Sequence, residues 1–431
     1  MVFPGKVMLI SVHGDPLARL GGIQSGGQNV YVREMARALD SMGIQVDVFT
    51  HWSDPGLPRS EPLGRKSRVI RLTGGSKGFH SKHQMFGMLP MLVKELIQHV
   101  GNPCHYAVIH SNYWLSGWVG LQLQKILRIP RIHTSHSLGT VRKDAISTKG
   151  NEPLAVRLRV EREVLKKADR VIATTPFEEK ILKKHYFVPN DNISVVPCGV
   201  NTELFRPLKN SKLDRRFSDQ ERKTVLFVGR FEENKGLGVL LKSFKILKEK
   251  YPLTAARTRL VIAGGDCLEL PLNALSAEKK QYLKFIGENR ISELVEFAGP
   301  LKHEDLLAYY NDASITVVPS YYESFGLVAV EAMACGCPVI ASRTGGLRHN
   351  VLHGKTGLLV EPKSPEELAS AINFLLTDEK ARKQMSGEAA IHGKRFSWLK
   401  VASQISGIYR EVTGWKEKYD PKSQEISWLQ I

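Results

Sequence analysis

Val7-Met8-Leu9-Ile10-Ser11-Val12 is a short, nearly unbroken apolar run of the kind that becomes a strand buried on both faces. The glycine pairs Gly21-Gly22 and Gly26-Gly27 follow, and from there to His51 the chain reads as an amphipathic helix running into a second strand. Strand patterns recur at Arg68–Leu72, Tyr106–His110, Arg131–Thr134, Val171–Thr175 and Ile193–Pro197, with helical patterns between them. From Asn201 to Gln220 the chain turns polar and aperiodic, as a linker does. A second alternating series then runs through Thr224–Gly229, Arg259–Gly264, Val295–Ala298, Ile315–Pro319 and Pro338–Ala341, and Trp398–Trp415 has the period of an amphipathic helix. Strands alternating with helices predict parallel sheets, so the expected fold is α/β: two doubly wound, Rossmann-like domains, 1–205 and 206–397. Ligands of such sheets bind beyond the carboxyl ends of the strands, which two facing domains turn into a cleft.

A length of 431 residues fits two such domains, and 42% apolar with 24% charged residues is ordinary for a globular enzyme. No apolar stretch approaches the ~20 residues of a membrane span, and the first residues run straight into a strand pattern without a secretory cleavage signal. The expected compartment is cytoplasmic. The five cysteines, Cys104, Cys198, Cys267, Cys335 and Cys337, are scattered and lack metal-site spacing, so they read as reduced and structural.

Charge adds a partner question. The net charge is +18, and residues 1–200 hold 27 Lys and Arg against 15 Asp and Glu. Gly64–His83 alone contributes six cations and no acid. Such a field suits phosphorylated small molecules, an anionic membrane surface or nucleic acid, and equally a merely soluble surface. No nucleic-acid-binding motif or basic helix with interleaved aromatics accompanies it.

Candidate chemistry lies at the ends of the strands. The opening glycines could bring backbone N–H groups of a helix N-terminus against a phosphate, although their spacing is not the G-x-G-x-x-G of dinucleotide folds and a flexible loop would carry them equally well. In VLFVGRFEENKGL, Gly229-Arg230 ends a strand and Lys235 follows five residues after Arg230, two cations able to clamp a diphosphate. In VEFAGPL the backbone edge around Phe297 could read a base. In YYESFGLVAVEAMACGCPVIAS, Ser324-Phe325-Gly326 is expected to open a helix that also carries Glu323 and, just over two turns on, Glu331. One carboxylate would accept from a sugar hydroxyl and the other from a ribose diol. Gly345-Gly346 closes the unit.

These stretches, with VVPCGVNTELFRP, resemble the retaining, nucleotide-sugar-dependent glycosyltransferases of the GT-B fold, family 4, over nearly the whole chain. The resemblance implies that Arg230 and Lys235, with Gly229 and Gly26 nearby, hold the donor diphosphate. It gives the transferred sugar to Glu323, Ser324, Phe325, Gly326 and Leu327, the ribose to Glu331, and a donor-sugar contact to His136. His136, Arg230, Lys235 and Glu323 form the implied catalytic set, with no metal or other cofactor. The tail helix, 398–431, is expected to pack back on the first domain.

For the acceptor, the resemblance implies Gly26, Gly27 and Gln28, with Lys77, Tyr113, Ser137 and Arg157 as phosphate donors. Two kinds of relative compete. G-G-Q at 26–28 and H-S-L-G at 136–139 resemble the sucrose-phosphate synthases, which join glucose from UDP-glucose or ADP-glucose to fructose 6-phosphate and release UDP or ADP and sucrose 6-phosphate. Val156-Arg157 instead resembles inositol-phosphate N-acetylglucosaminyltransferases, since the synthases carry paired arginines there. Two matches against one favour sucrose biosynthesis. Asn112 stands where many relatives have histidine. A basic protein that binds nucleic acid or a membrane surface on this scaffold is the non-enzymatic reading, but it would need neither Arg230 nor Glu331; weak peripheral membrane contact by an active enzyme is compatible with the charge.

Overall fold

The computed structural model describes residues 3, 5–18, 26–101, 105–141, 154–208, 222–265 and 275–415. Gly21-Gly22, residues 209–220 of the expected linker, Cys104, Cys267 and the tail beyond 415 lie outside the described residues.

Eight strands form the first sheet: β1 (Lys6–Ile10), β2 (Val46–His51), β3 (Ser60–Pro62), β4 (Arg68–Leu72), β5 (Tyr106–Asn112), β6 (Arg131–Thr134), β7 (Arg170–Ala173) and β8 (Ile193–Val195). Their order is β3-β4-β2-β1-β5-β6-β7-β8, parallel throughout except for the edge strand β3. Six form the second: β9 (Lys223–Val228), β10 (Thr258–Ala263), β11 (Val295–Gly299), β12 (Ile315–Val318), β13 (Val339–Ser342) and β14 (Gly357–Val360). That sheet is wholly parallel, in the order β11-β10-β9-β12-β13-β14. Both therefore reverse direction beside their first strand, between β1 and β5 and between β9 and β12, and those crevices are where α/β sheets bind ligands.

The apolar runs are continuous because each strand is covered on both faces. Val7 and Leu9 point to a core with Tyr31, Val32 and Met35, whereas Met8 and Ile10 point to one with Met85, Leu89 and Leu115. In the second sheet Leu226 packs with Ala329 and Met333, and Val225 and Phe227 with Leu240 and Phe244. The tail helix, Trp398–Thr413, lies against helix Gly27–Ser41 of the first domain, with the Trp398 and Tyr31 rings 5.4 Å apart. Tyr409 from that helix meets buried His110 on β5 at 2.8 Å.

Several expected boundaries move. β1 stops at Ile10 because Ser11 turns, its hydroxyl donating to Gly14 O at 2.7 Å. Thr174 and Thr175 leave β7, and Thr175 caps helix Pro176–Tyr186 by accepting from Glu178 N. The edge strands β3 and β14 are unexpected: one is the polar tripeptide Ser-Glu-Pro and the other, Gly357–Val360, opens on a glycine.

The larger correction concerns the two glutamates. The helix begins at Leu327 and runs to Ala334, so Glu323 stands in the preceding loop and does not share a helix with Glu331. Gly326 sets that start: its φ is +93°, and a Cβ there would stand 2.4 Å from Leu347 Cδ2.

Candidate active site

The two sheet crevices face each other across a cleft of about 430 Å³. Its first wall comes from the segments after β1, β4, β5, β6, β7 and β8, and its second from those around the ends of β9 and β12. The walls approach closely where helix Gly27–Ser41 begins: a Cβ on Gly27 would stand 3.2 Å from Leu327 Cδ1 of the opposite domain. Gly26, its N-cap, donates its N–H to Asn29 Oδ1 at 3.0 Å, and Asn29 Nδ2 in turn donates to Asp15 O at 2.8 Å. Asp15 is fixed by the buried Arg71, Nε to Oδ2 at 2.7 Å. Arg71 therefore braces the opening loop, and part of the basic stretch 64–83 is internal structure.

Three donors, Tyr113, Ser137 and Lys82, sit on the first wall, and Arg157 stands behind them, outside the cleft lining. Arg157 is fully buried and held by Glu161, Nε to Oε1 at 2.6 Å, while its Nη2 donates to Ser137 O and Oγ at 2.8 Å and its Nη1 to the Tyr113 hydroxyl at 3.2 Å. Lys82 Nζ lies 3.3 Å from the same hydroxyl. Tyr113, Ser137 and Lys82 line the cleft. Lys77 does not: it is exposed, with Nζ 3.6 Å over the Trp52 ring, because Gly78 N–H bonds Trp52 O and folds the turn away. Lys82, in the first turn of helix Lys82–Val100, occupies the position the sequence reading gave to Lys77.

His136 lies in the left-handed region at φ +58° and donates from Nε2 to Asn112 Oδ1 at 2.8 Å. Asn112, uninterpreted in sequence, thus fixes the His136 ring, and its carbonyl also receives Gln28 Nε2 at 3.4 Å. Burial holds the His136 imidazole down to about 3, so the ring is neutral with an accepting Nδ1. His13, missed in sequence, lines the same wall: its ring is 4.4 Å from Tyr113, its buried Nδ1 has no hydrogen-bond partner among the described residues, and burial with the Lys82 charge keeps it neutral. The one available signal was its place just past β1, at the switch point.

On the second wall, Lys235 Nζ donates to Glu323 Oε2 at 2.7 Å, Ser320 Oγ lies 3.3 Å from the same oxygen, and half-exposed Arg230 pairs with Glu232 at 2.8 Å. Gly236, at φ +72°, lets this loop press against the β12 loop, since a Cβ would lie 2.0 Å from Pro319 O. Gly346 N–H donates to Glu323 O at 2.8 Å, which gives the Gly345-Gly346 pair a structural task. Ser324, Phe325, Gly326 and Leu327 line the cleft. Gly229, Phe297 and Glu331 do not. Gly229 N–H continues the β9 ladder to Ala263 O, Phe297 packs 6.1 Å from Phe231, and Glu331 is buried, accepting from His303 Nε2 at 2.7 Å and the Tyr310 hydroxyl at 3.0 Å.

Cys335 and Cys337 are buried free thiols, and burial pushes Cys337 up to about 12. Burial thus keeps both thiols protonated, which opposes nucleophilic attack. No helix among the described residues is long and apolar enough to cross a membrane.

Residues 25–204 match the family model Glycosyltransferase Family 4, and residues 209–392 match Glycosyl transferases group 1. The D-inositol 3-phosphate glycosyltransferase of Corynebacterium diphtheriae is 34% identical over 411 residues, 94% of each chain. That of Acidothermus cellulolyticus is 36% identical over 412 residues, 95% of this chain and 90% of its own length. Among solved structures, a sucrose-phosphate synthase from Thermosynechococcus elongatus superposes with a TM-score of 0.86 at 36% identity, covering 95% of this chain and 99% of that one. With both halves matched and relatives aligned over nearly its full length, the chain belongs to the family 4 glycosyltransferases of the GT-B fold.

Proposed function

We propose that the protein transfers glucose from UDP-glucose, or ADP-glucose, to fructose 6-phosphate with retention, giving sucrose 6-phosphate and the nucleoside diphosphate. The observation that carries a phosphorylated acceptor is the donor cluster on the first wall, where buried Arg157 is aimed at Ser137 and Tyr113 beside Lys82. A phosphate monoester accepts hydrogen bonds and carries negative charge, so it suits a cluster made of donors and cations. Gln28 and the segment 136–139, both resembling sucrose-phosphate synthases, favour fructose 6-phosphate. The second reading, an inositol phosphate acceptor with an N-acetylglucosaminyl donor, is favoured by Val156 before Arg157 and by relatives named as D-inositol 3-phosphate glycosyltransferases.

The chemistry follows from where charge develops. As the glycosidic C–O bond breaks, the sugar becomes oxocarbenium-like and the diphosphate gains negative charge, which Lys235 and Arg230 stabilise as fixed cations without a metal. A bound diphosphate competes with Glu323 for Lys235, and the released carboxylate turns to sugar hydroxyls. His136 offers a neutral Nδ1 to a donor hydroxyl and is a poor general acid, so the acceptor proton passes to the departing phosphate oxygen on the leaving-group face. Nucleoside diphosphate release over a matrix of UDP-glucose, ADP-glucose and UDP-N-acetylglucosamine with fructose 6-phosphate, fructose and inositol phosphate tests the reading. Turnover with inositol phosphate and none with fructose 6-phosphate would sink it.

A further inference from the structure

Glu331 is joined to the opposite domain through a single imidazole. His303 donates from Nε2 to Glu331 Oε1 at 2.7 Å, and its Nδ1 lies 3.4 Å from Arg33 Nη2, on helix Gly27–Ser41 of the first domain. Arg33 is held in turn by Glu34, Nε to Oε1 at 2.8 Å. His303 is buried and stacked edge-on against Phe205, 4.9 Å between centroids, so its ring cannot turn freely. A guanidinium only donates. Opposite Arg33, therefore, Nδ1 must be the lone-pair nitrogen and Nε2 must carry the proton, which is the tautomer that donates to Glu331.

We propose that His303 is a positioning residue for Glu331, and that Arg33 from the first domain fixes its tautomer, so that the grip on the nucleotide ribose tightens when the two domains are in contact. This rests on the reading of Glu331 as the ligand of the ribose diol, which the family resemblance implies and which requires the buried carboxylate, outside the cleft lining itself, to be reached past Leu327 and Val328. A carboxylate has about four lone-pair sites, and His303 with Tyr310 takes two, leaving two for a diol. The first wall binds the acceptor, so the relay makes donor affinity respond to the approach of the acceptor domain. It also has a pH sense. The charged groups facing His303 are Glu331, Arg33 and Glu34, the last neutralised by Arg33 and Arg37. Burial pulls the imidazole down, but the Glu331 carboxylate outweighs it and holds His303 above its ordinary value. Once protonated, His303 keeps Glu331 but turns an N–H toward Arg33, and the His303–Arg33 contact is lost.

The test is calorimetric binding of UDP, with 2′,3′-dideoxy-UDP as the control that lacks the diol, to the full chain and to R33Q, H303A, H303Q, R33Q/H303A and E331Q. R33Q is expected to weaken UDP by about 5- to 10-fold, a coupling of ordinary size between sites, and to leave the dideoxy nucleotide unchanged. H303A loses at least as much, H303Q recovers most of it because an amide can donate to Glu331 and accept from Arg33, and the double variant is no weaker than H303A. The ratio of R33Q to wild-type dissociation constants shrinks from pH 8 to pH 6, the nucleotide phosphate titrating alike in both. An R33Q protein that binds UDP as the wild type does, or weakens both nucleotides equally, overturns the relay while E331Q still abolishes the preference for the diol. If E331Q keeps that preference, the reading of Glu331 falls and the relay with it.

Discussion

Arg157→Ala separates an acceptor contact from a structural ion pair. In the native fold the guanidinium makes bonds to Glu161, Ser137 and Tyr113, all within 3.2 Å. Toward substrate, the loss of one or two charge-assisted hydrogen bonds to a phosphate, at about 1.5–3 kcal/mol each, lowers kcat/KM for fructose 6-phosphate by at least ~10-fold and up to ~150-fold per bond. Toward stability, Glu161 loses a cation, and breaking a buried pair costs about 3–5 kcal/mol in general. Here the cost should sit near the lower end, because Gly139 N–H and the Tyr186 hydroxyl still donate to Glu161. The two effects separate in one assay: kcat/KM for fructose 6-phosphate and for unphosphorylated fructose, with UDP affinity and thermal melting alongside. A lost phosphate contact narrows the preference for the ester and leaves UDP affinity alone. If both acceptors fall in parallel, or the preference survives intact in a folded variant, Arg157 holds only its own domain together and the reasoning fails.

Other expectations follow from the same geometry. Lys82→Ala should weaken use of fructose 6-phosphate about 10-fold or more through one lost charged donor, whereas Lys77→Ala, whose ammonium rests on Trp52, should leave kcat/KM within twofold; steady-state kinetics of the pair decide which lysine serves the acceptor. Lys235→Ala and Arg230→Ala should each lower kcat by about 10²- to 10³-fold, since each charge counts most as the diphosphate departs. Activity should survive prolonged dialysis against EDTA, and a dependence on restored divalent cation would contradict electrostatic stabilisation by these two residues. Folding should weaken in acid. Burial holds His110 at about 3 in the fold against ~6.5 unfolded, so its contribution is complete above pH 6.5 and disappears as pH falls toward 3, with a slope of up to ~1.4 kcal/mol per pH unit. Denaturant midpoints between pH 7 and 4 should fall with at least that slope, since His136 is held down by burial in the same way, and the slope should be smaller in His110→Gln.

Most of the parallel strands were legible because they are covered on both faces and therefore apolar without interruption, as Val7–Ile10 and Val225–Val228 are. β3 was not, because Ser-Glu-Pro is polar and ends in a proline, and β14 was not because it opens on Gly357, although strands as short as β6 and β8 were legible. In the site, Arg230, Lys235, Glu323 and Ser137 reach the cleft from the segments that follow strands and Gln28 from the first turn of helix Gly27–Ser41, where position follows directly from the β/α order. What failed was direction. Spacing put Glu323 and Glu331 on one helix, but Gly326 delays the helix to Leu327, three residues past Ser324, and the two carboxylates go to different partners, Lys235 and His303. Lys77 and Lys82 differ by only five positions, and a backbone bond from Gly78 to Trp52 decides which faces Tyr113. His13, Asn112 and Arg33 act through contacts between segments far apart in the chain, so no local pattern announced them.

The proposed function divides the labour between the walls, with the donor expected at Arg230, Lys235 and Glu323 and a phosphorylated acceptor at Ser137, Tyr113 and Lys82, backed by Arg157. Nuclear magnetic resonance of the product formed from ¹³C-labelled UDP-glucose and fructose 6-phosphate tests it most directly. The account predicts sucrose 6-phosphate with the glucosyl carbon in the α configuration of the donor and the phosphate still on the acceptor. An inverted β-linked product, or label transferred to water or to fructose in preference to its phosphate, would contradict it.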